Sequence, residues 1–437
     1  MAITTEHRED GAPQISDEDD VRRIIRERHI EFLFAQFVDM HGKPSAKLVP
    51  AHHIDDLLND GAGFAGFAAG DIGQGPHDPD MIAMPDPTTL TILRNQLERA
   101  KALGFELKMG AELEYFLVRR REDGTIEVAD QLDTLDLPCY DMRALTRNLD
   151  FVSQVSQAVT GLGWDNYATD HEDANGQFEQ NFQYADALTT CDRAVFYRYM
   201  VESLAQQRGL IATFMPKPFA HLTGSGAHFH FSLWQDGGNA FDREPTEDPR
   251  GFGLSELAYQ FIAGLKTNAT AYIALTAPTV NSYKRLIIGA PTSGATWAPA
   301  YISYGYNNRT QMLRIPDRGR IEDRTVDGSC NPYLAATAML AAGLDGIDRK
   351  LDPGEPNSDN LYEYSQEQRD AKGIELLPAN LLDATRELER NHVLRAALGA
   401  TRDGDYIDYY INVKRREWQQ AHEQITQWEL DRYLQLF

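Results

Sequence analysis

Several stretches of this sequence set chemically capable side chains two residues apart. In "GAELEYFLV", Glu112 and Glu114 have this spacing. Side chains alternate across a strand, so the two glutamates share one face and Leu113 and Tyr115 the other. "GQFEQNF" places Gln177, Glu179 and Asn181 opposite Phe178 and Phe182, and "GSGAHFHFSLW" places His228, His230 and Ser232 opposite Phe229 and Phe231. In "LRIPDRGRIEDRT", Arg320, Glu322 and Arg324 share a face. One such strand reads as an ordinary solvated sheet face. Four together, mixing glutamates, histidines and arginines, read as a site.

The stretch "HEDANGQFEQNF" sharpens the point, because Glu172, Asp173 and Glu179 lie beside phenylalanines where an uncompensated charge is costly. Carboxylates with an occasional imidazole suit Mg²⁺ or Mn²⁺, whereas zinc would ask for more Cys or His. Arginines next to those carboxylates can clamp phosphate or a substrate carboxylate through paired hydrogen bonds. Metal-assisted phosphoryl transfer uses both kinds of group.

The elements that must position these residues follow from the apolar pattern. With 437 residues, 42% of them hydrophobic, the chain can bury a large core and more than one domain. Residues 1–15 are polar and aperiodic and read as a loose tail. Ser16 then opens a capping-box pattern with Asp19, followed by Val21, Ile24 and Ile25 at helical spacing. "EFLFAQFVDMHGKPSAKLVPA" reads as two strands joined at "MHGKP", "HHIDDLLNDG" as a short helix ending at Gly61, and "TTLTILRNQLERAKALG" as another ending at Gly104. A domain boundary is placed near 105, giving units 16–105 and 106–437. The second holds the polar-faced strands, helices over 189–208 and 252–276, a glycine-rich connection at 287–296 and a long helical C-terminus. Its last stretch carries Trp418, Ile425, Trp428 and Leu436 on an otherwise charged helix, equally suited to docking on its own subunit or to contact between rings.

Composition also narrows the partners. A net charge of −24 opposes non-specific binding to nucleic acid or anionic lipid. No apolar run of membrane-spanning length and no leader-like N-terminus is present, so the expected location is cytoplasmic. Cys139, Cys191 and Cys330, odd in number and far apart, read as reduced thiols.

"GAELEYF", "HEDANGQFE", "GSGAHFHFSLW", "NSYKRL", "NNRTQMLRIP" and "RIEDR" occur in the order and approximate spacing of the glutamine synthetase family, which this sequence resembles over residues 20–437. "FVDMHGK" and "LVPAHHIDDLL" resemble its N-terminal region. The resemblance implies an α+β fold: a β-grasp N-terminal domain and a large catalytic domain with a curved antiparallel sheet. It also implies a homo-oligomer, commonly two stacked hexameric rings, with active sites between subunits. The implied reaction is ATP-dependent phosphorylation of the γ-carboxylate of glutamate, followed by displacement of phosphate by an amine.

By matching position, the resemblance makes Glu114, Glu172 and Glu179 ligands of a first Mg²⁺ or Mn²⁺ and Glu112, His228 and Glu322 ligands of a second. It makes Arg285 and Arg324 partners of the glutamate carboxylate and its phosphorylated form, with Gly224 where backbone approaches glutamate. Arg309, Arg314 and Arg320 match arginines on ATP phosphates, Arg309 also joining Arg285 in catalysis, and His230 and Ser232 match nucleotide-site positions.

Two departures bear on the amine. The family's ammonium-binding Asp-Gly-Ser-Ser loop is replaced by "GAGFAGFAAGDIGQG", and the glutamate-bearing flap after "NSYKRL" is replaced by "IIGAPTSGATWAP", which has no acidic residue. A loop lined by Phe64, Phe67, Ala68 and Ala69 would tolerate a methyl group, and Asp71 is the candidate base for deprotonating the amine, with a plain turn aspartate as the alternative. "AAGDIGQGPHDPDM" resembles the methylamine-using branch of the family, so methylamine is the expected amine. Ammonium, a larger amine and a catalytically silent oligomer are the alternatives. Tyr362 lacks the context of the family's regulatory tyrosine and reads as an unmodified side chain, packed or exposed.

Overall fold

The computed structural model describes residues 18–68, 77–84, 91–288, 297–401 and 404–437. The helix Glu18–Glu27 leads into a hairpin of strands Phe32–Val38 and Pro44–Pro50, in which Val38 pairs with Pro44 across the "MHGKP" turn. The expected short helix runs Ile54–Asp60, and strands Ala62–Phe64 and Met81–Ala83 pair beside it. The capping residue Ser16 lies outside the described residues.

The helix Thr91–Ala102 buries Leu93 and Ala100 fully in the main hydrophobic core, which also takes in Met40 from the hairpin. The turn of that hairpin is tied down further. Arg198 donates to the carbonyls of Gly42, Gly328 and Cys330 at 2.7 to 2.9 Å, and Asn331 Nδ2 donates to the Asp39 carbonyl at 2.9 Å.

The body is built on an eleven-stranded sheet. Its main path runs Tyr304–Tyr306, Leu313–Ile315, Ile321–Asp323, Ala227–Gln235, Glu106–Arg120, Gln177–Phe182, Asn166–His171, antiparallel at every step except the first. The apolar side predicted from alternation is the core side. Tyr115, Phe178, Phe229 and Phe231 are at most 1% exposed. Behind them lie helices Ala187–Gln206, Glu256–Thr276 and Pro332–Asp348. The last is apolar nearly all round, "PYLAATAMLAAGLDGID", as a helix enclosed on every side must be.

Two helices differ from the sequence reading. The helix expected over 252–276 begins at Glu256, because Ser255 accepts the Ala258 N–H as its N-cap and Gly253 just before it has φ +72°. The C-terminal helix is two helices, Tyr406–His422 and Gln427–Tyr433, the second restarted by a Thr426–Glu429 capping box. Trp418 packs against the core of its own chain, whereas Ile425, Trp428 and Leu436 are 60% or more exposed.

Candidate active site

Strand register brings the polar residues together. His228 lies opposite Glu112, Glu114 opposite Glu179, and His230 opposite Glu322, so three cross-strand pairings assemble glutamates and histidines from four strands on one face. They line a cavity of about 770 Å³. Glu112, Glu114, Glu172, Glu179, Gly224, His228, His230, Arg285, Arg309, Arg314, Arg320, Glu322 and Arg324 all reach it.

Glu114 is held in place. Its Oε2 accepts from Gln177 Nε2 and from the Gly226 N–H, each at 2.8 Å. His228 sits between the carboxylates: its Nδ1 is 3.6 Å from Glu322 and 3.7 Å from Glu112, and its Nε2 is 3.8 Å from Glu114. These spacings are too long for hydrogen bonds and suit groups sharing a cation. Gly226 is required for this approach, since a Cβ there would stand 2.6 Å from His228 Nε2. A Cβ on Gly224 would stand 2.6 Å from the Pro216 carbonyl oxygen and 2.9 Å from Arg285 Cγ, so backbone lies bare at that wall.

The two halves of the cluster differ electrostatically. Burial raises the Glu322 carboxyl, but Arg324, His230, His228 and Arg314 outweigh it and hold it down to about 2. Burial likewise opposes ionisation of Glu112, yet His230 and His228 hold it well below the usual range. On the other side burial and like charge prevail. Burial and the neighbouring Glu114, Asp170 and Glu112 push Glu172 up to about 8, and burial with Glu112 and Glu172 pushes Glu179 well up.

Asp170, Glu172 and Glu179 each offer an oxygen within 4.8 Å of the others, and Glu112, His230 and Glu322 form a second such trio. A divalent cation fits beside Glu172 and Glu179, where anions outnumber cations; in the second trio His230 Nε2 stands 2.9 Å from Glu112 Oε1, while its buried Nδ1 has no hydrogen-bond partner. His230 rather than His228 thus completes the tighter trio with Glu112 and Glu322.

The arginines divide by what occupies them. Arg285 spends its guanidinium on the carbonyls of Arg324, Thr325 and Val326 at 2.7 to 3.1 Å, so it shapes the wall from which Arg324 projects. Arg324 is 4% exposed, gives Nη1 to Glu322 at 2.7 Å and keeps a buried Nε with no partner. Arg314 donates to Glu322 at 2.7 Å and to Asn307. Arg309 and Arg320 are exposed at the rim.

A second cavity of about 440 Å³ adjoins the first. Glu112, His230 and Arg320 line both, and Ser232, Tyr184 and Trp234 line only the second. Ser232 Oγ accepts from Trp234 Nε1 at 3.0 Å. The expected nucleotide-site positions therefore fall where the two cavities meet.

Three features escaped the sequence reading. Asp170 pairs in register with Glu179 and joins Glu172; the signal was the two-residue spacing in "DHE". Asp133, from a distant loop, clamps the "HEDANG" turn: it accepts from His171 Nε2 and the Gly176 N–H at 2.7 Å and from Asn175 Nδ2 at 3.0 Å. Asp173 accepts the Trp297 indole N–H at 2.8 Å and the Thr223 hydroxyl at 3.2 Å.

Of the amine-loop residues, Asp71 and Ala69 lie outside the described residues, as does the side chain of Phe67. Phe64 packs edge-on against Phe37 of the hairpin, 4.8 Å between ring centres, and neither it nor Ala68 lines either cavity of its own chain. Tyr362 is the packed of the two alternatives: its hydroxyl donates to the Ala298 carbonyl and its ring lies 6.0 Å from Tyr301.

Comparison with known proteins agrees with this geometry. The family model for the glutamine synthetase catalytic domain matches residues 88–433. A glutamate–methylamine ligase of Methyloversatilis universalis is 43% identical, over 96% of this chain and 99% of its own. A glutamine synthetase of Rhizobium leguminosarum bv. phaseoli is 39% identical, over 95% and 99%. A solved GmaS–ADP complex superposes with a TM-score of 0.85 at 44% identity, over 94% of this chain and 98% of its own. The polar-faced sheet, the paired acidic trios and these similarities lead to one conclusion: the chain belongs to the glutamine synthetase family.

Proposed function

We propose that this protein is an ATP-dependent ligase that joins glutamate to methylamine, giving γ-glutamylmethylamide, ADP and phosphate by way of γ-glutamyl phosphate. The observation that carries the choice of amine is the near full-length similarity to the Methyloversatilis universalis ligase, at 43% identity against 39% for the Rhizobium leguminosarum glutamine synthetase.

Glu114, Glu172 and Glu179 would hold one divalent cation and Glu112, His228 and Glu322 the other, with His230 beside them. When bound, the cations supply neutralisation of the phosphate charge. Arg324, with its unpartnered Nε, binds the anionic end of glutamate or its phosphorylated form, and Arg285 sets its position. Arg309, Arg314 and Arg320 face the nucleotide phosphates, and His230 and Ser232 mark the passage to the nucleoside. Positioning and charge stabilisation are what phosphoryl transfer requires of the protein.

An alkylammonium must lose a proton before it attacks. Asp170 is suited to accept it: burial, then the neighbouring Glu112, raises its proton affinity, and it stands next to Glu172 and Glu179 on the cavity wall. Asp71, the base read from sequence, lies outside the described residues and stands as the alternative. A homo-oligomer of two stacked hexameric rings is supported by the apolar surface of the N-terminal unit, where Phe32, Phe34, Leu48 and Ile82 are more than half exposed. The division into units near residue 105 and a cytoplasmic location, where ATP is supplied, belong to the same proposal. No described helix is long and apolar enough to cross a membrane.

Purified protein with ATP, glutamate and Mg²⁺ is offered methylamine or ammonium while phosphate and amide are measured. Higher kcat/KM for methylamine is expected. Preference for ammonium overturns the assignment in favour of glutamine synthetase.

A further inference from the structure

Methylammonium presents two surfaces, a cationic ammonium and a methyl group, whereas ammonium presents only the first. A site that prefers methylamine needs an apolar surface next to an acidic one. The large cavity is mostly polar, but Ile287, Trp297 and Ala298 interrupt it on the same wall system as Asp170, Glu172 and Asp173. Trp297 is the largest of these, and it is anchored: its indole N–H donates to Asp173 Oδ2 at 2.8 Å. Asp173 is itself 7% exposed and braced by the Thr223 hydroxyl, so the anchor is shielded from solvent.

Trp297 as a whole is left 38% exposed. An aromatic side chain fixed by its polar edge, with part of its face open, offers the surface that an alkylammonium prefers, through dispersion to the methyl and attraction of the cation to the ring. Asp173 directly follows Glu172 in sequence, so the same turn sets a carboxylate for the nitrogen and the strut for the ring.

We infer that Trp297 is a specificity-determining residue that contacts the methyl group of the amine, and that Asp173 is the positioning residue that aims its ring. This rests on the methylamine reading above and extends it to named side chains. A methyl in a fitted pocket changes kcat/KM by roughly 10- to 200-fold. Trp297 accounts for most of that preference.

The test compares the full-length wild type with Trp297→Ala, Trp297→Phe and Asp173→Ala, measuring kcat and KM for methylamine and ammonium and KM for ATP and glutamate. Trp297→Ala is expected to lower kcat/KM for methylamine at least 10-fold more than for ammonium, mainly through KM for the amine. Trp297→Phe keeps an aromatic face but loses the N–H, so it retains more of the preference than Trp297→Ala, and Asp173→Ala behaves as Trp297→Phe does. Equal losses for both amines in Trp297→Ala, with a wild type that prefers methylamine, overturn this inference and leave the ligase reading standing. A wild type that prefers ammonium removes the ligase reading, and the inference with it. Should Trp297→Ala fail to fold, an unchanged amine ratio in Trp297→Phe and Asp173→Ala overturns the inference as well.

Discussion

Replacing Glu172 with Gln in metal-free protein should make it more stable at pH 8 and leave it little changed at pH 5. Burial and the surrounding Glu114, Asp170 and Glu112 raise the Glu172 carboxyl from the usual 4.5 to about 8. Between those values the folded chain keeps a proton that the unfolded chain has released, so stability falls as pH rises through that window. At about 1.36 kcal/mol per pH unit the full effect is about 5 kcal/mol. Glu172 opens on to the cavity and titrates beside the likewise raised Glu179, so a net effect of a few kcal/mol is expected. Gln carries no titrating proton and lacks this loss.

Thermal or urea unfolding of both proteins in EDTA, at steps from pH 5 to 8, gives curves that diverge with rising pH. Mn²⁺ should reverse the order, stabilising the wild type more than the variant, because a bound cation supplies the compensation that the protein lacks. Parallel pH curves in EDTA would refute the reasoning, since they would mean that Glu172 ionises in the folded chain at no cost.

Three further outcomes follow from the geometry. Gly226→Ala drives a Cβ into His228 Nε2 and is expected to weaken Mn²⁺ binding at least 10-fold by calorimetry while the circular dichroism spectrum is unchanged. Asp133→Ala strips partners from His171, Asn175 and the Gly176 N–H, and should cost about 2 to 4 kcal/mol in unfolding experiments as well as loosening Glu172. Asp170→Asn is expected to lower amide formation about 100-fold while KM for ATP changes little; wild-type rates in the variant would exclude Asp170 as the base.

Alternation made much of the site readable. A strand with two glutamates in front and Leu113 and Tyr115 behind can face its core in only one way, and the same holds for His228 and His230 against Phe229 and Phe231. The N-terminal hairpin was legible because "MHGKP" is a chemically explicit turn. What escaped depends on distance through space rather than along the chain. Nothing in "DQLDTLDLP" marks Asp133 as the clamp of a turn some forty residues on. The role of Asp173 needed Trp297, which arrives 124 positions later. Arg285 reads as a free clamp until the carbonyls it serves are seen. Helix starts moved by a few residues for a local reason, a serine that caps better one turn later.

The pairing of Glu112 with His228, Glu114 with Glu179 and His230 with Glu322 has a consequence for how the chain matures. A slip of one residue between any two of these strands would turn one strand's polar set into the hydrophobic side and its aromatic residues outward. Under the proposed metal roles, the alignment of each strand decides whether its own carboxylates and histidines join the candidate cation sites. On that proposal, cation binding would stabilise chains whose strands are aligned over those whose strands are not.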